Sequence, residues 1–198
     1  MRYYIWLQVK YHSYHRRALT TRGLRMQRAI VSIILPLCLF LGMGSKLHAN
    51  EMADNLKGIK NISQPHSNRY GAGQPRSESF LAIANAGVKH IINLRPPSET
   101  PDVNEAAIVT QAGMAYYNIP IASGAELTRD KVVLIDKILT TIGDEPVLIH
   151  CSSSNRVGAI MALKAVWLDK KSTENAIAIG HQWGLTSLQP AVEKLLLK

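Results

Sequence analysis

The 198-residue sequence predicts an α/β protein with a mainly parallel central sheet flanked by helices. Short β-branched apolar runs alternate with stretches of helical period, the pattern of repeated strand–helix units. One run, PVLI at 146–149, is apolar throughout, as a strand covered on both faces must be. Gly87, Gly113 and Gly143 each follow a helical stretch and mark its end.

Taken in order, residues 59–62 offer a short strand, and Tyr70-Gly71-Ala72-Gly73-Gln74-Pro75 a strand end running into a turn. A helix over 77–86 takes Ser77 as its cap. The run VKHIINL at 88–94 has strand character, and the three prolines of 95–101 force a loop after it. A helix over 103–112, a strand over 114–121 and an amphipathic helix over 128–142 follow; the last carries Ile135, Ile138, Leu139 and Ile142 on one face. After the 146–149 strand come helices near 156–170, 173–183 and 187–197.

The net charge of +9 suggests nucleic-acid binding until its distribution is read. Residues 1–50 hold eight Lys and Arg and no acid, leaving 15 basic against 14 acidic residues, a net +1, in 51–198. The basic balance belongs to the leader, so no nucleic-acid partner is expected. The leader reads as a secretory signal: Arg25 and Arg28, a 15-residue apolar run at 29–43, then a cleavage site after Ala49. That run is shorter than a spanning helix needs and contains Pro36. Residues 1–49 are therefore expected to be a basic leader and signal peptide, with Met26 an alternative start, and 50–198 a single exported domain, periplasmic or extracellular. A membrane partner enters only if the leader stays uncleaved.

Beyond the leader, which holds Cys38, Cys151 is the lone cysteine. A secreted chain usually pairs its cysteines, so a lone one is either an inert core thiol or a reactive one. Its context decides. It stands where the buried strand ends and a helix begins, in PVLIHCSSSNRVG, the place where open α/β sheets bind ligands. The amides of Ser152, Ser153, Ser154 and Asn155 can form an anion nest, and the helix N-terminus adds positive potential. Both favour a thiolate nucleophile. Arg156 presents a planar fork of donors suited to a tetrahedral oxyanion, and Gly158 lets the helix pack closely on the sheet.

These residues resemble the cysteine-phosphatase loop of tyrosine and dual-specificity phosphatases. They are most similar to bacterial phosphatase-like proteins of the beta-lactamase-hydrolase type, through Gly73-Gln74-Pro75, Ile92-Asn93-Leu94-Arg95-Pro96, Ile119-Pro120 and His150-Cys151 to Arg156-Val157-Gly158. The resemblance covers roughly residues 58–185 and implies a dual-specificity-phosphatase-like fold. It implies Cys151 as nucleophile, Arg156 as oxyanion binder and His150 as support for the thiolate, acting on a phosphate ester or other oxyanion, a phosphoprotein among the candidates. Two features depart from the tyrosine phosphatases. Four residues, not five, separate Cys151 from Arg156, the length resembling rhodanese-type sulfurtransferases, and Val157 stands where a Ser or Thr usually assists the leaving thiolate.

A phosphatase also needs a carboxylic acid for the leaving oxygen. Asp102, in the proline-rich loop, is the choice; Glu99 and Glu126 are rivals, and Arg95 is either a second anion contact or a salt-bridge partner of Glu99. His66, His90 and His181 are too widely spaced for a zinc site, and no metal or cofactor is expected. Trp167 and Trp183 read as core, and 152–154 lack the glycine-flanked elbow of a serine hydrolase. Three functions follow in order: a cysteine-dependent phosphatase, a sulfurtransferase carrying a Cys151 persulfide, and a non-catalytic phosphate-binding module.

Overall fold

A computed structural model describes Leu56 and residues 58–197; the leader, with Met26, Cys38 and the signal-peptide expectation, lies outside the described residues. Alternating period dictates the architecture. Five strands, β1 (Ser63–His66), β2 (Arg69–Ala72), β3 (His90–Asn93), β4 (Ala115–Asn118) and β5 (Val147–His150), form one sheet in the order β1-β2-β5-β3-β4. Only the β1–β2 pair is antiparallel. The fold is α/β and mostly parallel.

Strand β5 is central, and all four of its residues are buried. Successive side chains point to opposite faces. Val147 and Ile149 join Ile92, Ile121, Val132, Ile135, Val157 and Ile160 in one core cluster, while Leu148 joins Tyr70, Phe80, Ile83, Ile91 and Val109 in the other. Each such side chain contributes about 1.5–3 kcal/mol by leaving water. Helices α1 (Ser79–Asn85) and α2 (Glu105–Gln111) supply the second cluster, and α3 (Arg129–Ile142) and α4 (Asn155–Trp167) the first, with α5 (Thr173–Gln182) and α6 (Gln189–Leu196) packed against α4. Flanked in this way, α4 buries eight residues from Val157 to Ala165. No helix among the described residues is long and apolar enough to cross a membrane.

Three local expectations are corrected. Residues 59–62 form turns, not a strand, with bonds from the Ile59 amide to the Leu56 carbonyl and from Ile62 to Ile59. The strand lies just beyond, in the polar segment SQPH, where a register irregularity accommodates Pro65 on the sheet edge. Ser77 caps nothing: α1 begins two residues later, with Glu78 at the N-cap and no side-chain cap bond. The side chains of Asn104, Thr128 and Ser172 do cap α2, α3 and α5. Gly158 serves a different neighbour from the sheet. A Cβ there would sit 2.6 Å from the Gly180 carbonyl oxygen and from the Leu185 Cα, so this glycine lets α4 touch α5 and the turn that follows it.

Candidate active site

The central strand delivers Cys151 to the carboxyl end of the sheet, where it is 1% exposed. Its amide donates to the Ala72 carbonyl at 3.2 Å, and the preceding His150 carbonyl accepts from Leu94 at 2.9 Å, so both neighbouring strands hold the approach to the loop. Outside donors then draw the loop carbonyls away: the Gln74 amide to Ser152 at 3.3 Å and Asn61 Nδ2 to Ser153 at 3.0 Å. Ser154 turns the chain into α4 with φ 70°, its hydroxyl donating to the Trp183 carbonyl at 2.9 Å. Gly184 makes room there, since a Cβ on it would lie 2.6 Å from Ser154 Cβ.

This wrapping leaves the amides of Ser152, Ser153, Asn155 and Arg156 without a carbonyl partner among the described residues. Unpaired amides at a helix start are what an anion cradle requires. The Asn155 side chain is otherwise engaged. Its Oδ1 accepts from the Thr186 and Leu188 amides at 2.8 and 3.3 Å, and its Nδ2 donates to Ser187 Oγ at 2.7 Å. Only its backbone amide is left for a ligand.

In front of the cysteine, Arg156 extends from the first turn of α4 and donates to both oxygens of Glu99, at 2.7 and 2.8 Å, and to the Ile121 carbonyl at 2.8 Å. Arg95 approaches the same carboxylate, Nε to Oε2 at 2.9 Å. Glu99 holds the Arg156 guanidinium above its ordinary value, with the Cys151 sulfur adding to the effect against the opposing influence of burial. The Arg156 hydrogen bond correspondingly holds the Glu99 carboxyl low, with Arg95 reinforcing it against burial.

Behind the cysteine, His150 is fully buried and its Nε2 lies 2.8 Å from Glu105 Oε1. Gln74 Nε2 donates to the other Glu105 oxygen at 2.6 Å, while Gln74 Oε1 accepts from Arg95 at 2.6 Å. Burial pushes the Glu105 carboxyl up, but the hydrogen bond and charge of His150, then Gln74 and Arg95, outweigh it and hold it below the ordinary carboxylate value. A continuous path of hydrogen bonds thus runs from Arg156 through Glu99, Arg95, Gln74 and Glu105 to His150, and the chain itself closes it at Cys151.

Of the residues singled out from sequence, Cys151, Arg156, His150 and the 152–155 loop come together, and Arg95 joins them through Glu99. Asp102 lies exposed between a 3-10 turn (Pro97–Glu99) and α2, with no ion pair among the described residues. Glu126 pairs instead with Lys131, Oε2 to Nζ at 2.7 Å. Nothing in the sequence marks Glu105 or Gln74 as a polar site residue. Glu105 sits two places after Val103 in what reads as the polar start of a helix, and Gln74 lies within Gly73-Gln74-Pro75.

A thiol sharing its cradle with an arginine at a strand-to-helix turn is the arrangement of the cysteine-dependent phosphatases, and solved structures share this fold. A DUF442 phosphatase candidate from Shewanella putrefaciens superposes with TM-score 0.58 at 26% identity, covering 73% of this chain and 93% of that one. A cysteine-to-serine variant of Pseudomonas aeruginosa TpbA, crystallised in complex with phosphotyrosine, superposes with TM-score 0.50 at 16% identity over 68% and 81% of the two chains. More particularly, residues 72–166 match the family described as Beta-lactamase hydrolase-like protein, phosphatase-like domain, and this part of the chain belongs to it. A beta-lactamase hydrolase-like protein of Xylella fastidiosa is 32% identical over 117 residues, 57% of this chain but only 27% of that protein's length. The chain carries a phosphatase-like domain whose fold is shared with the phosphotyrosine-bound TpbA.

Proposed function

We propose that this protein is an exported cysteine-dependent phosphatase that hydrolyses a phosphate monoester through a Cys151 phospho-intermediate. The observation that carries the reading is Arg156 set beside the Cys151 sulfur in a loop whose amides at Ser152, Ser153, Asn155 and Arg156 have no carbonyl partner among the described residues. The amides and the guanidinium bind the phosphoryl oxygens and stabilise charge as it shifts in the transition state. The thiolate attacks phosphorus, the bond to the leaving oxygen breaks, and a carboxylic acid gives that oxygen a proton. Water then attacks the phosphocysteine, the S–P bond breaks, and the thiolate returns.

Asp102 is our choice of acid. Glu99 is committed to two guanidinium groups and held ionised, whereas Asp102 belongs to the same loop and carries no ion pair among the described residues. The signal-like leader supports export, and the phosphotyrosine bound by the Pseudomonas relative supports a phosphoester substrate. The four-residue loop favours a second reading, sulfur transfer through a Cys151 persulfide.

Side-by-side assays on the full chain separate the two. Aryl-phosphate hydrolysis that vanishes in Cys151→Ser is the expected result, with Asp102→Asn lowering kcat by about 10² or more. Thiosulfate-to-cyanide sulfur transfer without phosphate release would replace the phosphatase reading, and oxyanion affinity with neither activity would leave a binding module.

A further inference from the structure

We infer that Asn61, on the turn that precedes the sheet, is a positioning residue for the anion loop: its side-chain amide holds the Ser153 carbonyl outward and so keeps the loop open to an oxyanion. The role deepens the proposed function and rests on that reading for the use to which the bound anion is put. Asn61 lies before residues 72–166, the part of the chain that matches the phosphatase-like family, so the match does not include it.

Asn61 stands at φ 50°, in the left-handed region that Asn tolerates and β-branched residues avoid. The turn carrying it is anchored in the core. Leu56 is buried, and Ile59 and Ile62 pack against the cluster that holds Tyr70 and Leu148. The backbone of the turn is tied down as well, the Lys60 carbonyl accepting from the Gly73 amide at 2.8 Å. Gly73 in turn lies against the loop: a Cβ there would meet the Ser152 carbonyl oxygen at 3.0 Å and the Lys60 carbonyl oxygen at 3.1 Å. Turn, Gly73 and loop are thus in contact, and Asn61 Nδ2 reaches across to the Ser153 carbonyl at 3.0 Å.

A carbonyl oxygen is the negative end of the peptide dipole, and one turned into the cradle would repel a bound anion. The peptide planes of this loop are therefore held one by one. The Gln74 amide takes the Ser152 carbonyl, and because the peptide is planar and trans, the Ser153 amide is sent the opposite way. For the next plane, Asn61 Nδ2 is the one donor to the Ser153 carbonyl among the described residues. The residue that follows, Ser154, is itself left-handed at φ 70°. Such a conformation persists only where its surroundings over-determine it. The Ser154 hydroxyl on Trp183 fixes one side of this bend, and Asn61 fixes the other.

Asn61→Gly isolates the side chain, because glycine accepts the left-handed backbone while the donor is lost. The probe is tungstate, titrated calorimetrically into the full chain, beside aryl-phosphate kinetics and thermal melts. Asn61→Gly is expected to weaken tungstate binding about fivefold, the scale of one hydrogen bond, with the melting temperature little changed. KM for the aryl phosphate should rise by a similar factor while kcat holds, because substrate and transition state use the same loop. A merely structural role would instead leave fewer active molecules, a fall in kcat at unchanged KM. Unchanged tungstate affinity, a loss confined to kcat, or a native chain that binds no tungstate overturns the inference. Should Asn61→Gly not fold, Asn61→Asp carries the same test, since its carboxylate tolerates the backbone but cannot donate; weaker tungstate binding supports the role and unchanged binding overturns it. Tungstate binding needs no turnover. A native chain that binds it without releasing phosphate defeats the phosphatase reading, and the effect of Asn61→Gly on that binding still decides this one.

Discussion

Two carboxylates flank the same cysteine, and they are held in opposite ways. Glu99 stands on a loop with its side chain 29% exposed, gripped by two guanidinium groups; Glu105 opens a helix at 3% side-chain exposure, gripped by an imidazole and an amide. Both are held below the ordinary carboxylate value. The difference lies in who else wants the partner. On the proposed function an incoming phosphoryl group competes with Glu99 for Arg156, whereas His150 is sealed from solvent beside Glu105. The front of the site is arranged for exchange and the back for permanence.

The comparison breaks most visibly at Arg156. Arg156→Ala is expected to lower kcat for an aryl phosphate by about 10²–10³, because the front loses its main oxyanion donor, while the melting temperature changes little. Steady-state kinetics beside thermal melts check this; a large drop in melting temperature would show that the front is also structural.

Stability sharpens the contrast next. Glu105→Ala strands a buried partner and is expected to cost about 3 kcal/mol in denaturant unfolding. Glu99→Ala, on a partly exposed loop, should cost under about 1 kcal/mol. Equal losses would erase the distinction. Acid supplies a related measurement. Both folded-state values are lowered, so both contributions are complete above the unfolded carboxylate value, near pH 4.3, and fade as pH falls through the lowered folded values. Melting temperature should drop in that window, and drop less steeply in Glu105→Gln than in the native chain.

The smallest expected effect is Glu99→Gln, which frees the Arg156 fork. Inorganic phosphate should then inhibit roughly two- to fivefold more strongly, as expected for removal of a partly screened competitor. Weaker inhibition would mean that Glu99 organises the arginine more than it competes for it.

The position of Cys151 and its loop is legible from sequence because local signals coincide there: an all-apolar strand, small residues and an arginine at a helix start. The remaining circuit joins residues far apart in the chain. Glu99 reaches Arg156 across 57 positions and Glu105 reaches His150 across 45, and no periodicity announces such pairings. Glu105 is hidden by its chemistry as well, since an acid in the first turn of a helix ordinarily favours solvent and the helix dipole. The edge strand β1 lies a few residues beyond its expected place for the reverse reason. Ile59 and Ile62 have the look of a strand yet pack from turns, whereas the polar SQPH earns its place by backbone pairing alone.

The ties from Ser154 to Trp183 and from Asn155 to residues 186–188 have a consequence for the order of synthesis. A chain emerging from its N-terminus exposes Cys151 and Arg156 well before the residues that lock the loop around them. Until Trp183 and Leu188 have emerged, the thiol has neighbours but no finished cradle. The loop around Cys151 is completed only when α5 and the turn that follows it have joined the fold.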